Sequence, residues 1–431
     1  MRFVSVNRQS PPATFEEILL RSIAPDGGVY VPEFLPLLSP AFVNQLADQS
    51  LNSIGCECLA RFFDEINSDD LRGIIARAWN FPLPLTQMED DFFLLELFHG
   101  PTLAFKDVGA RFMAEVVSHL LGQKNERVTI LVATSGDTGS AVAHGFYNTP
   151  HVDVVILYPS GKISRLQEQQ MTTLGGNIHA LEVEGTFDDC QKLVKQALVD
   201  QEIQRTRVLT SANSINLARL LPQIVYYAWG ISQWQKKFRQ TDEQPTIVVP
   251  SGNFGNLTAA MYAKWMGIPI KSFIAATNRN DVVPHYLLSG KFHPQPSIQT
   301  FSNAMDVGNP NNFPRIQSLY RNDLAALRRD LSAISIDDTG TLDEIRQTYE
   351  RMGIILDPHT AVGVAAARRL SHNQPVIIAA TAHPAKFPEV IKKALAMDIP
   401  PPPALRSALE KPKQSIRIPN NYQALKKYLL A

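Results

Sequence analysis

Lys106 is the residue whose chemistry calls for the most explanation. In "HGPTLAFKDVGARFM" (99–113) it lies between apolar Ala104 and Phe105 and acidic Asp107, bracketed by Pro101 and Gly109. The preceding run, "FFLLELFHGPTLAF", is apolar apart from Glu96 and His99, and an amphipathic run follows. A lysine at such a joint is expected to point into a cleft. Desolvation depresses its pKa, and the neutral amine is a nucleophile suited to a Schiff base with an aldehyde. A solvated lysine near a helix start is the plainer alternative.

Two glycine-rich stretches follow apolar runs and lead at once into helical patterns: "TSGDTGSA" (134–141) and "PSGNFGNLT" (250–258). Glycine lets backbone N–H groups approach an anion, and a helix N-terminus adds its positive end. Two such cradles suit an aldehyde cofactor that carries a phosphate and an amino-acid substrate that carries a carboxylate. Simple turn formation and capping by Ser and Asp compete with that reading.

Three further spots could contribute. Thr381 ends the run in "AATAHPAKF" (379–387), where its hydroxyl could meet a pyridine nitrogen. "LYPSGKISRLQ" (157–167) clusters Lys162, Ser164 and Arg165, a candidate pocket for a second, substrate-borne phosphate. Here the rival is capping by Ser164 beside surface cations. "SANSINLARL" (211–220) places Asn213, Ser214 and Asn216 before an apolar helix, and capping again competes. "DPHTAVG" (357–363) reads as a structural start: an Asp N-cap with Pro at N1.

Other chemistries find no support. There is no GxGxxG after a strand, no GxxxxGK[ST], and no HExxH, GxSxG or CxxC. Cys56, Cys58 and Cys190 are too few and badly spaced for a disulfide framework or a zinc site, so no metal is expected and a reducing compartment is. Lys+Arg and Asp+Glu both total 41 in 431 residues. That balance argues against nucleic acid or an anionic membrane surface as partner and favours small molecules. The N-terminus lacks an apolar signal region, and the longest apolar runs fall far short of the ~20 residues that span a bilayer. A cytoplasmic protein is the expectation.

These residues need a scaffold. From about residue 92, short β-branched runs alternate with helical patterns: "RVTILVAT", "DVVILYP", "NIHALEVEG", "PTIVVPSG", "IKSFIAATN" and "QPVIIAATA". Strands that read as continuous apolar runs between helices imply parallel sheets covered on both faces. Ligands then bind outside the carboxyl ends of the strands, where both glycine stretches fall. The first ~90 residues read as short helices around a "DGGVYVP" turn, a separate cap. Proline-rich joints such as "FPLPLTQ" (81–87) and "DIPPPPAL" (398–405) connect the units.

Read together, "RSIAPDGGVYVPEFLP", "ELFHGPTLAFKD", "ATSGDTGSAVAH", "LYPSGKIS", "SANSIN", "VPSGNFGNLTAA", "SNAMDVGNPNNFPR" and "TAHPAKF" resemble, in order and over nearly the whole chain, the threonine synthase family. The resemblance implies an α/β chain of pyridoxal-phosphate fold type II, tryptophan-synthase-β-like. It has two mainly parallel sheet domains covered by helices and a small, mostly helical N-terminal domain. The expected divisions are 1–90, a catalytic core over 91–385 with its smaller subdomain at about 107–215, and a C-terminal helical segment over 386–431.

By the same resemblance Lys106 carries pyridoxal 5'-phosphate, and Gly252, Asn253, Phe254, Gly255 and Asn256 cradle its phosphate. Thr381 bonds the ring nitrogen. Thr134, Ser135, Gly136, Asp137 and Thr138 grip the substrate carboxylate and border the ring. Asp137 stands where relatives of the wider fold have asparagine facing the ring hydroxyl, which leaves its protonation open. Lys162, Ser164, Arg165 and Asn213 are the candidates for the substrate phosphate. The implied reaction turns O-phospho-L-homoserine and water into threonine and phosphate. A serine or threonine dehydratase and a phospholyase of the same fold are the alternatives, with a non-catalytic binding protein more remote. The oligomeric state stays open between monomer and dimer.

Overall fold

The apolar runs fold into two parallel sheets whose carboxyl ends face one another. The computed structural model describes residues 1–122, 127–238, 243–371 and 374–431. After a short antiparallel pair, β1 (Phe3–Ser5) and β2 (Tyr30–Pro32), come β3 (Leu85–Gln87) and β4 (Phe92–Glu96). Next are β5 (Val128–Ala133), β6 (Val152–Pro159), β7 (Ile178–Glu184) and β8 (Val208–Ser211). The remainder are β9 (Thr246–Pro250), β10 (Phe273–Thr277), β11 (Leu331–Ser335), β12 (Val376–Ala380) and β13 (Ile416–Pro419).

The larger sheet has the order β11-β10-β9-β12-β4-β3 and the smaller one β13-β7-β6-β5-β8. All neighbours are parallel except β3 with β4. Every residue of β5, β9, β10 and β12 is buried, which is what the unbroken apolar runs require of strands covered on both faces.

The N-terminal unit packs on the helix that begins at Lys106 (Lys106–Gly122). Phe15 meets Phe63 at 4.3 Å between ring centres, and Phe63 meets Phe112 of that helix at 5.3 Å. Trp79 Nε1 donates to the Val108 carbonyl at 3.0 Å. A polar seam ties the same unit to the end of β8: Thr210 Oγ1 donates to Leu19 O at 2.6 Å, and Asn216 Nδ2 donates to Ser22 Oγ at 3.0 Å. The unit is therefore clamped to the site's supporting elements.

The boundaries differ from the sequence expectation at both ends. β3 falls before residue 90 yet pairs with β4 at the edge of the larger sheet. The C-terminal segment is not purely helical. Its β13 closes the open edge of the smaller sheet, with Ile416 opposite Leu181 and Ile418 opposite Val183. An edge strand only four residues long carries too little periodic signal to be seen before its partner is known.

Candidate active site

The lysine is placed by backbone contacts to the end of β12. Phe105 N–H donates to Thr381 O at 2.8 Å, Leu97 N–H to Ala380 O at 2.9 Å, and Ala104 bridges to Ala382. Lys106 is then the first residue of its helix and lines a cavity between the two sheets. Ala133, Ser211, Pro250 and Thr381, from the carboxyl ends of four strands, line the same cavity. Burial lowers the Lys106 pKa below the ordinary lysine value; Asp137 opposes the shift, while Lys386 and Arg219 reinforce it.

The stretch after β9 forms a neutral cradle. Phe254 adopts a left-handed backbone (φ 61°) as N-cap of the helix Gly255–Trp265, and no side chain caps that helix. Its first-turn N–H groups are thus left for an anion. A Cβ on Gly252 would lie 2.6 Å from Met305 Cα, so only glycine lets the two backbones approach. Asn253 holds the loop from both ends: its Nδ2 donates to Ser214 Oγ at 2.5 Å, and its Oδ1 accepts from Asn311 N–H at 2.6 Å. Asn256 Oδ1 accepts from both Tyr226 and Tyr227 hydroxyls at 2.6 and 2.5 Å. Asn256 Nδ2 is buried with no partner. An unsatisfied donor at an uncapped helix start fits an anionic group such as a cofactor phosphate.

The stretch after β5 is built differently. Gly136, with φ 139°, precedes the helix Asp137–Phe146, which also starts without a side-chain cap. Thr134 is fully buried, and its Oγ1 accepts from the N–H groups of Gly136 and Gly139 at 2.9 and 2.8 Å. It shapes the turn, and Ser135, Asp137 and Thr138 are the side chains that reach the cavity. Asp137 pairs with Lys386 Nζ at 2.8 Å and accepts from Gln167 Nε2 at 2.9 Å. Burial alone would push its carboxyl up, but Lys386 and Lys106 outweigh that, and it stays ionised far below the usual carboxylate range.

The stretch after β6 does not enter the cavity through the residues its sequence suggested. Lys162 and Arg165 are exposed and absent from the cavity wall. Ser164 caps the helix Arg165–Thr172 in a reciprocal capping box with Gln167, as the capping alternative held. That box orients Gln167, the residue by which this loop reaches Asp137. Asn213 does line the cavity, with its amide bonded to Ala133 N–H and O at 3.1 and 2.6 Å. Asp357 caps its helix as expected, and its Oδ1 also accepts from His359 Nδ1 at 2.8 Å; His359 lines the cavity.

Sequence reasoning passed over four side chains: Gln167, Lys195, Arg219 and Lys386. Lys195 lies on the face of the helix Phe187–Val199 that brings Phe187, Gln191 and Val194 to the cavity, and it makes no ion pair among the described residues. A stripe at 187, 191, 194, 195 and 198 is a helical period that the sequence does show. Arg219 is buried, and burial pushes its pKa down to about 10.

Comparison with known proteins places this geometry. A family profile described as pyridoxal-phosphate dependent enzyme matches residues 81–381, and profiles for the threonine synthase N terminus and C-terminal region match 2–79 and 360–429. The threonine synthase of Serratia marcescens is 43% identical over 432 residues, spanning 100% of this chain and 99% of that protein. The chain belongs to the threonine synthase family. The crystal structure of the Escherichia coli threonine synthase superposes with a TM-score of 0.93 at 41% identity, covering 100% of this chain and 99% of the other. That of the pyridoxal-phosphate-bound Brucella melitensis threonine synthase superposes at 0.92 and 35% identity, covering 100% and 98%. As a threonine synthase family member, the chain is a pyridoxal-phosphate enzyme, and the orphan Asn256 amide with the Gly252 approach fits its phosphate. Among the described residues no helix is long and apolar enough to cross a membrane, and no His/Cys/Asp/Glu group could hold a metal.

Proposed function

We propose that the chain converts O-phospho-L-homoserine and water into L-threonine and inorganic phosphate. The observation that carries this reading is one cavity lined by a desolvated lysine, two uncapped glycine turns and a further cation, Lys195, that has no ion pair among the described residues. A cofactor phosphate, a substrate carboxylate and a substrate phosphate each find a separate place there.

Lys106 holds the cofactor, residues 252–256 take its phosphate, and Thr381 is the hydroxyl partner for its ring nitrogen. When bound, pyridoxal phosphate supplies the electron sink that lets protons leave Cα and Cβ of an amino acid. Once displaced by the substrate amine, Lys106 Nζ is free to accept the Cα proton and then one from Cβ, and later to return a proton to Cα. Its depressed pKa suits an amine that must alternate between base and acid. Ser135 and Thr138 orient the substrate carboxylate at the start of the helix Asp137–Phe146. Lys195, exposed but on the cavity wall, is the cation for the leaving phosphate, in place of Lys162 and Arg165, which do not line the cavity; Asn213 lines the same wall. Loss of phosphate from Cγ, delivery to Cγ of the proton taken from Cβ so that Cγ becomes the methyl carbon, and addition of water at Cβ complete the exchange.

The deciding experiment incubates the protein with cofactor and O-phospho-L-homoserine and measures threonine and phosphate together. Equal amounts of both are expected. Phosphate with 2-oxobutyrate and no threonine would make the protein a phospholyase, and turnover of serine alone would make it a dehydratase.

A further inference from the structure

Lys386 is fully buried, the only lysine among the described residues with no exposed surface. It sits in the turn Pro384–Lys386 beyond β12, and its Nζ donates to Thr102 O at 2.7 Å besides pairing with Asp137. Thr102 in turn gives its N–H and hydroxyl to Asp107 at 2.8 and 2.6 Å. Lys386 therefore links the segment that carries Lys106 to the turn that carries Asp137.

Both donors that reach Asp137, Lys386 Nζ and Gln167 Nε2, go to Oδ1. Among the described residues no hydrogen bond is made to Oδ2, and Asp137 lines the cavity together with Lys106. Stability does not account for this arrangement. A buried ion pair recovers little more than its own desolvation cost, and uncharged groups of similar volume serve as well or better. The geometry points to a functional reason, one that rests on the pyridoxal-phosphate reading above. We propose that Lys386 is a positioning residue: it cancels the charge of Asp137 from behind and aims Oδ2 into the cavity. Lys106 then works beside a fixed oxygen anion without the net field of an uncompensated one.

The charged groups that face Lys106 are Asp137, Lys386 and, from the helix Leu217–Leu220, Arg219; Asp107 adjoins it in the chain. Asp107 and Arg219 are common to every variant below, so differences report on the pair. The holoenzyme is titrated by the visible absorption of the lysine-bound cofactor as wild type, Lys386→Met, Asp137→Asn and the double variant. Lys386→Met leaves an unmatched anion and is expected to raise the midpoint by about one pH unit or more. Asp137→Asn leaves an unmatched cation and is expected to lower it by a similar amount. The double variant, neutral at both positions, is expected to return to within about half a unit of wild type and to regain the melting temperature that each single loses.

A scaffold role would not produce shifts of opposite sign that cancel. Midpoints that coincide in all four proteins, or single variants that move in the same direction, overturn the proposal. If a single variant does not fold, the double decides: it must fold and titrate like wild type, and failure of either overturns the idea. A wild type that titrates as described but makes no threonine sinks the functional reading and leaves Lys386 its role. Threonine formation with unmoved midpoints does the reverse.

Discussion

In residues 251–256 every side chain that shapes the turn is neutral: Asn253 with Ser214, Asn256 with two tyrosines, Gly252 against the Met305 backbone. In residues 134–138 the turn is organised around a buried charge, Asp137, balanced by Lys386 and oriented by Gln167. Both turns follow a parallel strand and start a helix without a side-chain cap. On the proposed function, the difference follows from what each would hold. A cradle for a permanent anion works best when backbone dipoles and amides are the partners, because they satisfy the charge without titrating. A turn that borders the reacting amine can use a fixed charge of its own, provided something behind it repays the desolvation.

Lys106→Ala tests whether the turns bind without catalysing. Turnover is expected to fall by about 10⁴-fold or more, while the protein still folds and retains pyridoxal phosphate, now non-covalently and through the neutral cradle. Residual steady-state activity within tenfold of wild type would show that another group performs the proton transfers.

Substituting the two glycines separates neutral from charged. Gly252→Ala drives a Cβ to within 2.6 Å of the Met305 backbone. It is expected to weaken cofactor binding about 100-fold at every pH and to cost about 1–3 kcal/mol of stability. Gly136→Ala strains a φ of 139° and collides with the Gln167 amide, the group that orients Asp137. Its defect is expected to vary with pH, as that of Gly252→Ala does not. Fluorescence titration with cofactor across pH tests both, and parallel pH profiles would erase the distinction.

Lys195→Gln touches neither turn. If Lys195 meets the substrate phosphate, KM for the phosphorylated substrate should rise about tenfold, the loss of one charge-assisted hydrogen bond. Unphosphorylated amino acids should bind as before in spectral titration. An unchanged KM would return the phosphate site to other residues.

The smallest expected effect lies behind the charged turn. His144 Nε2 meets Gln170 O at 3.1 Å, and burial holds the imidazole pKa down to about 4 from 6.5. The unfolded state takes up this proton first as pH falls. The stabilising contribution of neutral His144 is therefore complete above about 6.5 and is lost as pH falls through about 4. His144→Phe should flatten the acid decline of Tm by roughly 2–4 °C over that interval and leave activity at pH 7 unchanged. Calorimetry from pH 7 to 4 tests it.

Some of this is legible in the sequence. Apolar runs between helical patterns reveal six strands, four of them buried at every residue, since a strand covered on both faces has no polar side to show. Lys106 and both glycine turns were visible because their signal is local: residue type, neighbours, and position at a strand end. Lys162 and Arg165 stand out for the same reason, yet they do not line the cavity. They also follow a strand, but they flank Ser164, whose capping box with Gln167 starts a helix there; both cations are exposed while buried Gln167 reaches Asp137.

What the sequence by itself determined, then, is six of the strands, the glycine turns after two of them, the lysine at the start of its helix and the family pattern. The tertiary structure decided which charges meet. Asp137 and Lys386, far apart in the chain, become partners only when the end of β12 closes over the start of the helix after β5. Lys195 faces the cavity only because its helix packs with the stripe of Phe187, Gln191 and Val194 turned that way. Chain propensities act over a few residues, whereas a charge taken out of water must find its counter-charge through space, wherever in the chain that partner lies.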